Sequence, residues 1–88
     1  SAASDVYKRQ EYIKVITEIL KEVNPYEDIE ADTDLTAEEL LSSLNLMYLI
    51  TELEDHYDFT IPEDKIKPEY FKSVREIAIM VAELKNGN

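Results

Sequence analysis

Two adjacent serines, Ser42 and Ser43, stand at the head of the most hydrophobic helical pattern in the sequence, LLSSLNLMYLITELEDHY (residues 40–57). A serine hydroxyl becomes an effective nucleophile when a general base lies within hydrogen-bond distance. The single histidine, His56, would lie about 20 Å from Ser43 along the axis of one helix. A Ser-His pair is therefore excluded, and His56 is predicted to be a solvated residue near the end of that helix.

A serine at the start of a helix has two other uses. Its hydroxyl can accept a hydrogen bond from a free backbone N–H group of the first turn. It can also carry a phosphate ester, because the free N–H groups and the positive end of the helix dipole favour an anion there. Residue types alone favour the first use and leave the second open.

Carboxylates with a spacing close to that of metal ligands occur earlier in the chain. Positions 1, 3, 5, 7 and 12 of a twelve-residue window are occupied by Asp28, Glu30, Asp32, Asp34 and Glu39. An EF-hand calcium loop has a similar spacing but needs Gly at its sixth position. Thr33 occupies that position, and Pro25 stands where an entering helix should be. We therefore predict a solvated acidic loop, with weak divalent-cation binding as an alternative.

The composition of the chain limits the kinds of function that it can have. The 88 residues form one domain with one small core and little room for a deep catalytic cleft. The absence of cysteine excludes disulfides, and the single glycine excludes a glycine-rich phosphate loop. The net charge of −11 disfavours nucleic acid and anionic membranes. No apolar run could span a bilayer. We also expect the protein to be cytoplasmic and monomeric.

Residues 1–10, SAASDVYKRQ, are interpreted as an artefact. They match the translation of a transposon-type sequencing-library adapter, and we assign them no function, although they can extend the first helix. Residues 11–85 are then the domain, and residues 86–88 are a short tail. Without Asp5, Lys8 and Arg9 the remainder has one more net negative charge.

Helical periodicity predicts three main helices. The first covers residues 11–23 and ends at Asn24-Pro25. An acidic, aperiodic surface loop follows, and TAEE (residues 36–39) is a capping-box pattern that can begin a helical turn. The second helix covers residues 43–56. A short helical turn over residues 68–71 precedes a last helix, which the capping box SVRE (residues 73–76) opens.

The second helix has one apolar inner face. Its inner stripe is predicted to consist of Leu46, Leu49, Ile50, Leu53 and Tyr57, widened at the front by Leu44, Met47 and Tyr48. No segment of the sequence alternates with period two, so no strand is predicted. The fold class is therefore an all-α bundle.

The segment SSLNLMYLITELEDHYDFTIP (residues 42–62) resembles the core of acyl and peptidyl carrier proteins. That family has an Asp-Ser-Leu motif, a long amphipathic helix ending in acidic and aromatic residues, and a short apolar segment of I-x-I-P type. FKSVREIA (residues 71–78) is similar to the family's entry into its last helix. The resemblance covers residues 11–84 and implies a four-helix carrier bundle, with three main helices and one short helix before the last. The matching positions are Ser43, Leu44, Leu53, Glu54, Tyr57, Ile61 and Pro62.

The resemblance implies that Ser43 carries 4′-phosphopantetheine, derived from coenzyme A, through a phosphodiester. The thiol of this arm would bear an acyl or aminoacyl thioester, and the protein would be a free-standing carrier and not an enzyme. Its implied partners are a phosphopantetheinyl transferase, a loading enzyme, and biosynthetic enzymes with basic docking patches. Ser42 is a lesser candidate for attachment. The residues expected to contact partners are Leu44, Met47, Tyr48, Glu54 and Asp55, and those expected to shelter a lipid chain are Leu46, Ile50, Leu53, Phe71 and Ile77.

The chain departs from the family pattern at the front of this helix. Ser42 stands where the family usually has Asp, and Asn45 and Tyr48 stand at positions that are often acidic. Glu38 and Glu39, just upstream, can supply the missing charge. The alternatives are an aminoacyl, D-alanyl or peptidyl carrier and, in another class, an unmodified acidic module that binds a partner or a divalent cation.

Overall fold

The computed structural model describes residues 2–37 and 40–86 and contains three α-helices. They are α1 (Ala2–Val23), α2 (Ser43–Tyr57) and α3 (Val74–Asn86). Two single-turn 3₁₀ helices, Glu63–Lys65 and Pro68–Tyr70, lie between α2 and α3. The described residues contain no strand. The predicted all-α bundle with a short helix before the last is therefore confirmed, and the turn at Glu63–Lys65 is an addition that the sequence did not predict.

The first helix presents an apolar stripe to the interior. Ile16 and Leu20 are fully buried, and Tyr12 and Ile19 are nearly so. The helix ends at Val23 as predicted, and Asn24 closes it by donating from Nδ2 to the carbonyl oxygens of Leu20 (3.1 Å) and Leu40 (3.0 Å). It begins at Ala2, well before the predicted start at residue 11.

The second and third helices complete the core. Leu49 and Leu53 of α2 have no exposed surface, and the same holds for Ile77 and Val81 of α3. The serine half of the predicted capping box at the start of α3 is confirmed, because Ser73 Oγ accepts a 3.1 Å hydrogen bond from the backbone N–H of Glu76. The apolar periodicity of the three helices thus directs one side of each helix into a shared interior.

The connection between α1 and α2 exposes most of its acidic side chains, as predicted for a surface loop, but hydrogen bonds and three apolar side chains also attach it to the bundle. Its side chains Ile29, Leu35 and Leu40 are buried. The backbone N–H of Leu35 donates to the carbonyl oxygen of Lys72 (2.8 Å), and the N–H of Arg75 donates to that of Ala31 (2.9 Å). These bonds fix the connection against the start of α3.

Asp34 caps the turn that contains Thr36, the first residue of the predicted capping box TAEE. Asp34 Oδ1 accepts hydrogen bonds from the backbone N–H groups of Thr36 (3.0 Å) and Ala37 (3.2 Å). The Thr36 hydroxyl donates to the same oxygen (2.6 Å). Glu38 and Glu39, which complete the predicted pattern, lie outside the described residues.

Candidate functional site

The two serines at the head of α2 have different roles. Ser42 is the N-cap: its backbone is extended (φ −65°, ψ 170°), and its Oγ accepts a 3.3 Å hydrogen bond from the backbone N–H of Asn45. Ser43 is the first helical residue and is exposed. Its hydroxyl makes no hydrogen bond to another residue within the described ranges. The Ser42 hydroxyl therefore stabilises the start of α2, whereas the Ser43 hydroxyl is exposed to solvent and has no hydrogen-bond partner among the described residues.

The first turn of α2 favours a negatively charged group next to Ser43. The first intrahelical bond runs from the N–H of Leu46 to the carbonyl oxygen of Ser42 (2.8 Å). The N–H groups of Ser43 and Leu44 come before that bond and have no acceptor within the helix. A phosphodiester at this position gains about 0.3–1 kcal/mol from the helix dipole. No acidic side chain occupies this first turn.

An open groove beside Ser43 leads towards an apolar cavity. The groove has a volume of about 480 Å³ and is lined by Leu35, Thr36, Leu41, Ser42 and Ser43. The cavity has a volume of about 160 Å³ and is lined by Thr36, Leu41, Leu46, Ile66, Lys67, Pro68 and Phe71. Thr36 and Leu41 line both spaces, so the two are adjacent.

Only some of the residues expected to shelter a lipid chain line this cavity. Leu46 and Phe71 are at its wall. Ile50, Leu53 and Ile77 belong to the buried core instead. The remaining lining residues come from the two connections, where no periodic pattern in the sequence identifies them.

Three apolar residues that were predicted to widen the inner stripe of α2 face away from the core. Leu44 is 80% exposed and Met47 is 60% exposed, and Tyr48 is also classed as exposed. The interpretation of these residues as part of the inner face is therefore wrong. Together with Val23 at the end of α1 they line an open groove of about 430 Å³, here called the α1–α2 groove, which also includes Asn45 and Thr51.

The Tyr48 side chain links the α1–α2 groove to α1. Its hydroxyl donates a 2.6 Å hydrogen bond to Oε1 of Glu22. This bond to a carboxylate is the main cause, and burial the second cause, that raises the pKa of Tyr48 to about 12. Glu22 and Val23 were not identified from the sequence, because a contact across 26 residues leaves no local signal.

The two acidic residues predicted to contact partners differ in their surroundings. Glu54 is half-buried, and its Oε2 accepts a 2.9 Å hydrogen bond from the backbone N–H of Ile61. Asp55 is exposed. His56 is also exposed, and its ring lies edge-on to the ring of Tyr57 at 4.6 Å. Asp55 is thus free to meet a partner, while the Glu54 carboxylate has a bond within the fold.

Two of the carboxylates with EF-hand-like spacing, those of Asp32 and Asp34, make hydrogen bonds within the fold. Asp32 forms an ion pair with Arg75 (2.8 Å), and the hydrogen bond from Arg75 lowers the pKa of Asp32. The hydrogen bond from Thr36 is the main cause of the lowered pKa of Asp34. Glu39 lies outside the described residues. Among residues 2–37 and 40–86, no group of three or more acidic or histidine side chains is arranged to hold a metal ion.

No described helix has the length and hydrophobicity needed to cross a membrane.

Comparison with known proteins identifies the family. The family model described as phosphopantetheine attachment site matches residues 14–81, which include both serines. An acyl carrier protein of Beutenbergia cavernae is 32% identical over 66% of this chain and 73% of its own. A D-alanyl carrier protein of Streptococcus mutans is 31% identical over 90% of this chain and 96% of its own. An aminoacyl carrier protein of Bradyrhizobium diazoefficiens is 33% identical over 83% of this chain and 80% of its own.

No solved structure matches the chain. The matched residues 14–81 include all of α2 and the C-terminal part of α1. The family's domain is the attachment site of 4′-phosphopantetheine, and carriers of this kind are served by phosphopantetheinyl transferases and by loading and synthase enzymes. The chain therefore belongs to the carrier protein family, and it is a non-catalytic carrier and not an enzyme.

Proposed function

We propose that this chain is an acyl carrier protein in which Ser43 is the attachment residue for 4′-phosphopantetheine. The observation that carries the proposal is the division of roles between the two serines. The Ser42 hydroxyl caps α2 through its bond with Asn45 N, so its modification would remove a cap from the fold. The Ser43 hydroxyl is exposed and is not needed by the described part of the fold.

The residues around Ser43 fit a tethered, negatively charged group. The free N–H groups of the first helical turn favour the phosphodiester, and the exposed position lets a long arm extend into solvent. When bound, the arm supplies a thiol that holds the cargo as a thioester. The chain itself contributes the attachment point and its placement, and tethering then raises the effective concentration of the cargo at each enzyme that the carrier visits.

The apolar cavity supports an acyl cargo. Its volume of about 160 Å³ is close to that of an engineered protein cavity of about 150 Å³ that binds benzene. Space of this size suits a short or medium acyl chain, with about six carbon atoms inside. The groove that adjoins Ser43 shares Thr36 and Leu41 with the cavity, so a chain on the arm could enter by that route. Each methylene that leaves water there contributes up to about 0.8 kcal/mol.

An aminoacyl or D-alanyl cargo is the second candidate. It is supported by the D-alanyl carrier protein of Streptococcus mutans, which aligns over 96% of its length with this chain, and by the aminoacyl carrier protein of Bradyrhizobium diazoefficiens. An aminoacyl thioester carries a charged ammonium group, which is costly to bury without a partner. The two candidates therefore differ in whether the cargo enters the apolar cavity.

Attachment is tested by mass spectrometry of intact protein. The wild type, Ser43→Ala and Ser42→Ala are each incubated with coenzyme A and a broad-specificity phosphopantetheinyl transferase. We expect one added phosphopantetheine in the wild type and in Ser42→Ala, and none in Ser43→Ala. We also expect Ser42→Ala to lose about 1 kcal/mol of unfolding free energy, because it loses its N-cap. Addition to Ser43→Ala, or none to the wild type, would refute the proposal.

The cargo is tested by thermal unfolding of carriers loaded with acyl groups of increasing length. If the chain enters the cavity, the melting temperature rises with acyl length and then levels off once the cavity is full. Leu46→Phe, which adds volume at the cavity wall, should abolish that rise while leaving the unloaded protein folded. A melting temperature that does not depend on acyl length would instead favour the aminoacyl candidate.

A further inference from the structure

One charged side chain lies at the wall of the apolar cavity. Lys67 is the only charged residue among the described residues that line this cavity. The groove between the cavity and Ser43 has no charged residue in its described lining. A cargo that extends from Ser43 into the cavity therefore meets one charge on its way, that of Lys67, and this charge is positive.

Two other basic residues near Lys67 in the sequence have partners within the fold. The Lys65 ammonium lies over the ring of Tyr70, 4.7 Å from the ring centroid. The Arg75 guanidinium forms the 2.8 Å ion pair with Asp32. Each of these two cations therefore already has a favourable contact, which an added anion would have to replace.

Lys72 also has an acidic neighbour, whereas Lys67 has none that the structure describes. The hydrogen bond from Thr36 is the main cause of the lowered pKa of Asp34, and the positive charge of Lys72 contributes to it. Within residues 2–37 and 40–86, the Lys67 ammonium forms no ion pair, hydrogen bond or contact with an aromatic ring. Lys67 is exposed, and its flexible four-carbon stem lets the ammonium turn towards an anion at the cavity wall.

A cation without a partner beside an apolar cavity suits a cargo that is apolar along its length and anionic at its far end. A neutral acyl chain gains nothing from the Lys67 charge, and the ammonium group of an aminoacyl cargo is repelled by it. Elsewhere on this chain an anionic cargo is disfavoured, because the net charge is −11. Pairing with a cation offsets part of the cost of removing a carboxylate from water.

We propose that the cargo of this carrier is an acyl chain with a carboxylate at its far end, and that Lys67 binds this carboxylate while the carbon chain occupies the cavity. This inference rests on the proposed attachment at Ser43 and on the entry of the acyl chain into the cavity. The cavity volume of about 160 Å³ holds about six carbon atoms, so the six-carbon adipoyl group is the probe. Lys67 then determines specificity between two acyl chains of equal length.

The test compares adipoyl and hexanoyl cargo, which have equal numbers of carbon atoms and differ in the terminal carboxylate. A broad-specificity phosphopantetheinyl transferase loads each carrier from adipoyl-coenzyme A, hexanoyl-coenzyme A or coenzyme A itself. The measured quantity is the melting temperature of the acylated form minus that of the form with a free thiol. In the wild type at low salt, the adipoyl group should raise the melting temperature at least as much as the hexanoyl group does.

Substitution of Lys67 should change the effect of one cargo and not of the other. Lys67→Met keeps the length of the side chain and removes its charge, so it should lose most of the rise caused by adipoyl and keep the rise caused by hexanoyl. Lys67→Arg keeps the charge and should keep both. Lys65→Met is the matched control, because it removes a charge two positions away that already contacts the Tyr70 ring. Salt at about 500 mM should reduce the difference between the wild type and Lys67→Met, because it screens an exposed charge pair.

The outcomes separate this inference from the proposed function. An adipoyl rise that is equal in the wild type and Lys67→Met, or equally lost in Lys65→Met, overturns the role of Lys67. So does a wild type that hexanoyl stabilises and adipoyl does not, and in each of these cases the acyl carrier function stands. If neither acyl group raises the melting temperature, entry into the cavity fails as well. If the wild type is not modified at Ser43, the attachment itself fails and the inference fails with it.

Discussion

The backbone N–H of Ile61 donates a 2.9 Å hydrogen bond to Oε2 of Glu54, which joins the last turns of α2 to the connection that follows. The Ile61 side chain is buried beside this bond. The carboxylate of Glu54 thus orients the chain as it leaves the helix and turns an apolar residue into the core. This role differs from the partner contact that the sequence predicted for Glu54.

We expect Glu54→Ala to lower the free energy of unfolding by about 1–2 kcal/mol. Hydrogen bonds to charged groups contribute about 1.5–3 kcal/mol, and partial exposure of Glu54 reduces that value. Glu54→Gln should lose less, because its amide oxygen can still accept the bond from Ile61. Denaturant unfolding followed by circular dichroism measures both variants. Asp55→Ala, an exposed neighbour that also removes one negative charge, should change the free energy little; an equal loss there would contradict the role of Glu54.

Asp58 is the C-terminal cap of α2 and has a left-handed backbone conformation (φ 53°, ψ 59°). Gly adopts this conformation without steric cost, and an acidic residue at a helix C-terminus interacts unfavourably with the helix dipole. We therefore expect Asp58→Gly to raise the free energy of unfolding by about 0.5–1 kcal/mol, measured by denaturant unfolding.

Asp58→Asn separates the two causes of the expected rise in unfolding free energy, which are the relief of backbone strain and the removal of a charge that opposes the helix dipole. It removes the charge and keeps the side-chain shape, so it should give only the part that comes from the dipole. If Asp58→Gly is less stable than the wild type, the side chain of Asp58 stabilises the cap in a way that outweighs backbone strain, and the prediction is wrong.

The sequence predicted the helices better than their connections, for a physical reason. The apolar spacing that defines α2 and α3 is local, and so is the Ser73 cap of α3, so both are visible within a few residues. The connection between α1 and α2 depends on bonds such as that from Leu35 N to the carbonyl oxygen of Lys72, which joins residues far apart in sequence. No local sequence pattern identifies Lys72 as the hydrogen-bond partner of Leu35.

The position of the candidate site could be predicted from the sequence, but the separate roles of its residues could not. The pair Ser42-Ser43 at the head of an apolar helix could be located, but two identical side chains cannot be assigned separate roles from residue type. Their backbone geometry separates them, because Ser42 is extended and Ser43 is helical. Helical spacing placed Met47 at the edge of the inner stripe, whereas the family resemblance placed it among the partner contacts. Spacing alone could not decide, because a broad apolar stripe has the same spacing whether its edge faces a core or a partner.

Two tyrosines make the fold sensitive to alkaline pH. The hydrogen bond to Glu22 is the main cause that raises the pKa of Tyr48 to about 12, and burial is the main cause that raises the pKa of Tyr57 to about 12. An unfolded tyrosine has a pKa of about 10. Because the folded values are higher, both groups contribute stability that is fully present below pH 10 and is lost as the pH rises from about 10 through about 12. Melting temperatures measured across this range should fall steeply.

Single substitutions can show which tyrosine causes the loss of stability at alkaline pH. Tyr48→Phe and Tyr57→Phe should each flatten the fall in melting temperature above pH 10, whereas Tyr26→Phe, at a fully exposed side chain, should leave it unchanged. At neutral pH, Tyr57→Phe should raise the free energy of unfolding by about 1 kcal/mol or less, because the buried Tyr57 hydroxyl has no hydrogen-bond partner in the described part of the chain. Equal alkaline curves for all three variants would show that other groups cause the loss.

The last prediction concerns the net charge of −11 on a chain of 88 residues. Repulsion between like charges destabilises a compact state, and added salt screens it. Salt also weakens the ion pair between Asp32 and Arg75, but both side chains are largely solvent-accessible, and exposed ion pairs contribute little to stability. Repulsion should therefore outweigh the ion pair, and the melting temperature at pH 7 should rise by several degrees from about 10 mM to about 500 mM salt. Asp32→Asn, which removes the ion pair, should show a rise at least as large; an unchanged or falling melting temperature in both proteins would mean that self-repulsion does not limit this fold.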